Sequence, residues 1–145
     1  MLERLRKLLP GFRGYARREH RREADGLLRG FGAVRIERAA TCIESAARGK
    51  ADAAALAAAA ARASELARQL RGAHAAYAGF LDTQDWKADE PLEELYARDE
   101  ELVERVVALG IAADIQPCLP EALERELRDL ARAFERRRDA LRALA

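Results

Sequence analysis

Residues 53–80, AAALAAAAARASELARQLRGAHAAYAGF, decide the fold of this 145-residue chain. Apolar residues recur along this stretch at alternating spacings of three and four residues. The positions are Leu56, Ala59, Ala63, Leu66, Leu70, Ala73, Tyr77 and Phe80. This spacing is typical of an α-helix that packs along one face, and the alanines allow a neighbouring helix to approach closely. We therefore predict a helix that begins after Asp52 and runs to about Phe80.

The last segment, which Pro120 opens, has a second apolar face with the same alternating spacing. Its positions are Leu123, Leu127, Leu130, Phe134, Arg137, Leu141 and Leu144. Only Arg137 departs from the apolar character of this face. The pattern predicts a C-terminal helix with one buried face.

Three further segments are predicted to be helical. Residues 2–9 form a short amphipathic stretch that Pro10 and Gly11 end. A long helix is predicted over residues 15–48, with Gly49 in the left-handed position that often follows a helix. Another is predicted to begin near Glu90 and Pro91 and to run to Gly110, after a polar connection over residues 82–89.

The long helix contains a feature that leaves its continuity open. Gly26, Gly30 and Gly32 lie inside it, and each costs about 0.5–1 kcal/mol relative to alanine. Such a glycine cluster predicts either close helix packing or a kink near residue 30.

Composition favours helix throughout, because Ala, Leu, Arg and Glu dominate and β-branched residues are scarce. Short connections between long helices predict antiparallel neighbours. The predicted fold class is all-α, a four-helix up-down antiparallel bundle with a short N-terminal amphipathic helix. Residues 1–14 are assigned to the N-terminal segment and its turn, and residues 15–145 to a single bundle domain.

No motif for catalysis or cofactor binding is found in the sequence. The only histidines are His20 and His74, and neither belongs to the Glu-x-x-His motif of di-iron bundles. We therefore expect no cofactor, no metal and no enzyme activity. Cys42 and Cys118 are expected to be reduced, buried thiols. The absence of a signal peptide or spanning segment predicts a cytoplasmic protein, with the inner membrane face as an alternative place.

Charge is distributed unevenly along a chain whose net charge is only +1. Residues 1–22 carry eight basic and two acidic side chains, a local charge of +6, whereas residues 82–104 carry two basic and ten acidic ones, a local charge of −8. The basic segment could dock on the acidic helix of its own chain or of a second copy. It could instead bind an anionic membrane through residues 2–9. The acidic charge elsewhere in the chain argues against nucleic-acid contact through residues 13–22.

Two stretches resemble a family of small bacterial all-helical proteins. They are LPGFRGYARREHRREADGLL at residues 9–28 and YAGFLDTQDWKADEPLEELY at residues 77–96. The features that carry the resemblance are a Leu-Pro-Gly-aromatic-x-Gly-Tyr opening and a Tyr-Ala-Gly-Phe stretch. That family has no assigned biochemical activity, so the resemblance implies a helical fold and no enzyme.

The matched stretches suggest where a site lies. In an up-down bundle the start of the second helix and the end of the third fall at the same end, so both stretches could form one surface. Aromatic residues there either close off the bundle end or form a recognition patch. The predicted interaction surface consists of Phe12, Tyr15, Arg17, Arg18, Arg21, Arg22, Tyr77, Phe80, Asp82 and Trp86.

The function expected from the sequence is that of a non-enzymatic interaction or scaffold module that self-associates. Its partners are expected to be further copies of the chain or another protein. The alternative is a peripheral membrane protein that uses its basic N-terminus. A bundle that binds a small molecule, or an unrecognised enzyme, comes third, and a deep polar pocket would favour it.

Overall fold

The computed structural model of the protein describes residues 2–88 and 90–145. Over those residues all regular structure is helical and no strand occurs, which confirms the all-α prediction. Met1 and Asp89 lie outside the described residues. Asp89 is the last residue of the predicted 82–89 connection, so the end of that connection is not described either.

The helices follow one another as the sequence pattern indicates. The α-helices are α1 (Leu2–Leu8), α2 (Arg18–Ala47), α3 (Ala53–Gly72), α4 (Ala78–Leu81), α5 (Glu93–Asp114) and α6 (Pro120–Ala143). Two 3-10 turns, Ala73–Tyr77 and Glu90–Leu92, precede α4 and α5. The four long helices contact one another in a closed cycle, α2 with α3 and α5, and α6 with α5 and α3.

The predicted apolar faces form the core. The face of residues 53–80 is buried at every predicted position except Ala73, which is half-buried. On α6 the predicted face is buried at five of its seven positions, and Phe134 and Leu144 are half-buried. Burial of these faces supplies the main driving force for folding.

The N-terminal helix docks on its own chain. Leu5 and Leu9 are buried, and α1 contacts α5. The guanidinium of Arg4 lies 2.5 Å from the carboxylate of Glu100 and 3.3 Å from that of Glu104. The basic start of the chain therefore pairs with the acidic helix within one molecule.

Three helix limits differ from the predictions. The third helix gives way to a 3-10 turn after Gly72, because glycine is a poor helix former. By contrast, α5 continues through Gly110 to Asp114, since apolar residues that follow this glycine extend the helix. The second helix begins at Arg18 rather than residue 15, because the backbone N–H of Tyr15 donates to the hydroxyl of Tyr96, at 3.0 Å.

The second helix is continuous through its three glycines. A Cβ atom at Gly32 would lie 2.6 Å from Cδ2 of Leu70 on α3, so this glycine allows a close approach of two helices. At Gly26 and Gly30 an added Cβ meets no atom within 4 Å. Gly49 has φ of +68°, the left-handed conformation predicted after the helix.

These contacts predict that valine at Gly32 and valine at Gly30 will have different effects. Gly32→Val should lower the free energy of unfolding by about 1–3 kcal/mol, because the side chain overlaps Leu70. Gly30→Val should not lower it, because valine favours helix more than glycine does. Urea unfolding followed by circular dichroism measures both values. Equal losses in the two variants would contradict close packing at Gly32.

Candidate functional site

A cluster of charged and aromatic polar side chains lies inside the bundle. We call it the buried network, and its members are Tyr15, Asp25, Tyr77, Asp99 and Arg137. They come from the loop before α2, from α2 itself, from the 3-10 turn after α3, from α5 and from α6. The network thus joins parts of the chain that are far apart in sequence.

The guanidinium of Arg137 is the centre of the buried network. Its Nε donates to Oδ1 of Asp99 at 2.6 Å, and its Nη2 donates to Oδ1 of Asp25 at 2.7 Å. It also donates to the hydroxyls of Tyr77 and Tyr15, at 3.2 and 3.3 Å. A buried guanidinium stays charged and therefore needs such partners, since an unpaired buried ion costs several kcal/mol.

Each tyrosine hydroxyl connects the guanidinium to one carboxylate. The hydroxyl of Tyr77 donates to Oδ1 of Asp25 at 2.6 Å, and that of Tyr15 donates to Oδ2 of Asp99. At Asp99 the tyrosine bonds the oxygen that Arg137 does not contact, whereas at Asp25 the two donors share Oδ1. Buried polar networks are stable only when their members are satisfied in this way.

The charges of the buried network are balanced by one more arginine. Nε of Arg29 donates to Oδ2 of Asp25 at 2.8 Å. Two arginines, Arg29 and Arg137, therefore face two aspartates, Asp25 and Asp99, so the net charge is zero.

Burial and charge pairing shift the pKa values of these groups. Burial raises the pKa of Tyr77 to about 12, and the nearby carboxylate of Asp25 adds to the rise. Burial also raises the pKa of Tyr15 and of Asp99, in each case against the effect of Arg137. For Asp25, burial acts upward, but Arg137 and three donated hydrogen bonds outweigh it and hold the pKa below its usual value.

A second buried arginine, Arg21, holds the chain around the network. Its Nε donates to the carbonyl of Tyr15 at 2.8 Å, and its Nη atoms donate to the carbonyls of Phe80, Thr83 and Gln84. The guanidinium also lies 5.0 Å from the centre of the Phe80 ring. Arg21 therefore fixes the loop before α2 against the segment after α4.

The structure brings the two stretches of the predicted interaction surface together but buries half of that surface. Phe12, Tyr15, Arg21, Tyr77 and Phe80 are buried, so a partner cannot reach them in this structure. The rings of Tyr15 and Phe80 lie 5.9 Å apart.

The remaining predicted residues lie at the surface. Arg17, Arg18, Arg22 and Asp82 are exposed, and Trp86 is half-buried. Nη2 of Arg22 donates to Oδ1 of Asp82 at 2.8 Å, and the backbone N–H of Trp86 donates to the carbonyl of Ala16 at 2.8 Å. These residues mainly bind the two stretches to each other.

Sequence reasoning missed Asp25 and Asp99 and did not assign a role to Arg137. A signal existed for two of them. Arg137 interrupts an otherwise apolar face, and Asp99 lies four residues after Leu95 and three before Leu102, which is the spacing of a buried position. A charge at a core position requires a partner of opposite charge. Asp25 had no comparable signal.

Two concave surfaces of the described residues have mainly apolar linings. One is a cleft of about 350 Å³ between α3 and α6, bordered by Tyr77 and Arg137 of the buried network. The other is a groove of about 400 Å³ between α2 and α5, bordered by Val107 and Ile111. Over residues 2–88 and 90–145, no group of three or more His, Cys, Asp or Glu side chains could hold a metal ion. Within the same residues no helix is long and apolar enough to cross a membrane.

Comparisons with known proteins identify no relative. No protein-family model, no curated protein and no solved structure matches the chain. The geometry of the described residues is therefore the basis for a functional proposal.

The raised pKa of Tyr77 predicts a loss of stability at alkaline pH. Above pH 10 an unfolded tyrosine ionises while the folded one keeps its proton until about pH 12, so stability falls as pH rises between these values. From pH 9 to pH 11 this loss amounts to about 1.4 kcal/mol. Tyr77→Phe lacks this ionisable group, so its free energy of unfolding should fall less between these two pH values, by about 1.4 kcal/mol, than that of the unchanged chain. Urea unfolding at both pH values measures the difference. Equal losses in both proteins would contradict a buried, un-ionised Tyr77.

Proposed function

We propose that this chain is a helical interaction module that self-associates through the surface between α2 and α5. The observation that carries the proposal is a stripe of exposed large apolar side chains. Ile111 is 58% exposed and Ile115 55% exposed, and Val107 and Leu119 are also exposed. Val107, Ile111 and Ile115 follow one another at intervals of four residues, so they lie along one side of α5 and its end.

The charges around this stripe favour a second copy of the chain as the partner. Arg35 and Arg38 on α2 and Asp114 on α5 border the groove. Arg35 lies over the ring of Phe31 at 3.6 Å, and among the described residues none of the three has an ion-pair partner within its own chain. A two-fold-related copy could set the arginines of one molecule opposite Asp114 of the other, as an isologous interface requires.

The apolar surface supports the same proposal. Large exposed apolar patches on soluble chains often mark binding surfaces, because leaving them in water is unfavourable. Pairing of two α2–α5 faces would remove Ile111 and Ile115 from water. The closed cycle of contacts among the four long helices supports an up-down antiparallel bundle as the arrangement that presents this face. We propose further that the protein acts in the cytoplasm.

The membrane alternative has less support. It needs the leucine face of residues 2–9 at the surface, whereas Leu5 and Leu9 are buried against the bundle. Only Leu8 of this face is exposed. Membrane binding would therefore require α1 to leave α5 and to lose the Arg4 ion pairs.

Self-association can be tested with a charge at the centre of the stripe. Sedimentation velocity at about 50 μM should show a dimer for the unchanged chain and a monomer for Ile111→Glu, because a buried unpaired carboxylate opposes the interface. The matched control is Leu8→Glu, an exposed apolar residue outside the stripe, which should remain dimeric.

Two results would contradict this proposal. One is a monomer for the unchanged chain at the same concentration. The other is a dimer that Leu8→Glu and Ile111→Glu weaken equally, which would place the interface elsewhere.

A further inference from the structure

The cleft between α3 and α6 has the size and lining of a small-molecule site. The contact of α3 with α6 is the least extensive of the four contacts between long helices. The cleft left there has a volume of about 350 Å³. Sites for small molecules range from about 300 to 1,000 Å³. Its walls are mainly apolar and are formed by Leu66, Leu70, Ala73, Ala76, Leu102, Ala131 and Phe134.

Two members of the buried network, Tyr77 and Arg137, also border the cleft. A guanidinium has five N–H donors. Four hydrogen bonds join Arg137 to side chains of the described residues, one from Nε, one from Nη1 and two from Nη2. One N–H of Nη1 therefore has no acceptor among those residues. An unused buried donor is costly, so an acceptor from a bound molecule would be favoured there.

The charges around the cleft indicate an uncharged ligand. Arg137 and Arg29 together balance Asp25 and Asp99, so these groups add no net field that would attract an anion. At the rim, Glu135 and Arg138 carry opposite charges. The two rim charges are exposed and opposite in sign, so they offer an ion no net attraction to offset the hydration it would lose against the apolar walls.

We propose that this cleft binds a small, uncharged, mainly apolar molecule that carries a carbonyl or hydroxyl oxygen. The apolar part lies against Leu66, Leu70 and Phe134, and the oxygen accepts a hydrogen bond from Nη1 of Arg137. The cleft lies between α3 and α6, away from the α2–α5 groove, so ligand binding does not depend on self-association. The two proposals can therefore fail separately.

The test uses N-phenyl-1-naphthylamine, an uncharged apolar dye whose fluorescence rises in apolar sites. Titration into the full chain should give saturable binding. Three competitors with eight-carbon chains then compare head groups, namely 2-octanone, octanoate and octylammonium. We expect 2-octanone to displace the dye at a concentration about tenfold lower than either ion.

Replacement of two exposed alanines by phenylalanine, one at a time, locates the site. Ala76 is exposed and lines the cleft, so Ala76→Phe should fill part of it and weaken dye binding about tenfold. Ala58 is an exposed alanine of α3 that does not line the cleft, and Ala58→Phe should leave dye binding unchanged. Circular dichroism should show that both variants keep the helical content of the unchanged chain.

Three results would overturn the proposal. Absence of saturable dye binding would show that the chain has no such site. Equal effects of Ala76→Phe and Ala58→Phe would show that the dye does not bind in this cleft. Displacement by octanoate or octylammonium at the same concentration as by 2-octanone, or at a lower one, would contradict an uncharged ligand. Sedimentation of the same samples shows separately whether the chain self-associates.

Discussion

The guanidinium of Arg137, placed between the carboxylates of Asp25 and Asp99, is the constraint on which the rest of the structure depends. These three side chains belong to α6, α2 and α5, so the ion pairs fix the relative positions of three helices. Apolar packing alone can often be rearranged at small cost, whereas a buried charge tolerates few positions. The hydroxyls of Tyr15 and Tyr77 then hold the loop before α2 and the turn after α3 against the same centre.

The sequence predicted the helices well because their apolar faces repeat regularly. The face from Leu56 to Phe80 showed both the helix and its buried side, and the structure buries nearly all of it. The buried network was harder to predict, because it depends on partners far apart in the chain. Arg137 interrupted an apolar face, but its partner Asp25 is 112 residues away, in a helix with many other charged residues. Periodicity describes one helix at a time and cannot show which helices meet.

Burial also separates residues that hold the fold from residues that can meet a partner. The aromatic residues of the matched stretches looked suited to recognition, yet Tyr15 and Phe80 are inside the bundle. Two accessible surfaces with mainly apolar linings are the groove beside Ile111 and the cleft beside Arg137. The groove beside Ile111 suits a protein partner, and the cleft suits a small molecule. Tyr77 and Arg137 of the buried network border the cleft, so the interaction that fixes the helices also supplies polar groups to the cleft.

The most direct measurement compares the stability of two variants at adjacent positions, Arg137→Met and Arg136→Met. Arg137 is buried between two carboxylates, whereas Arg136 is exposed and pairs with Glu101 at the surface. Urea unfolding at pH 7 should show a loss of about 3–5 kcal/mol for Arg137→Met, because two buried carboxylates lose their partner. The loss for Arg136→Met should be about 0.5 kcal/mol or less. Similar small losses for both variants would contradict a central role for the buried network.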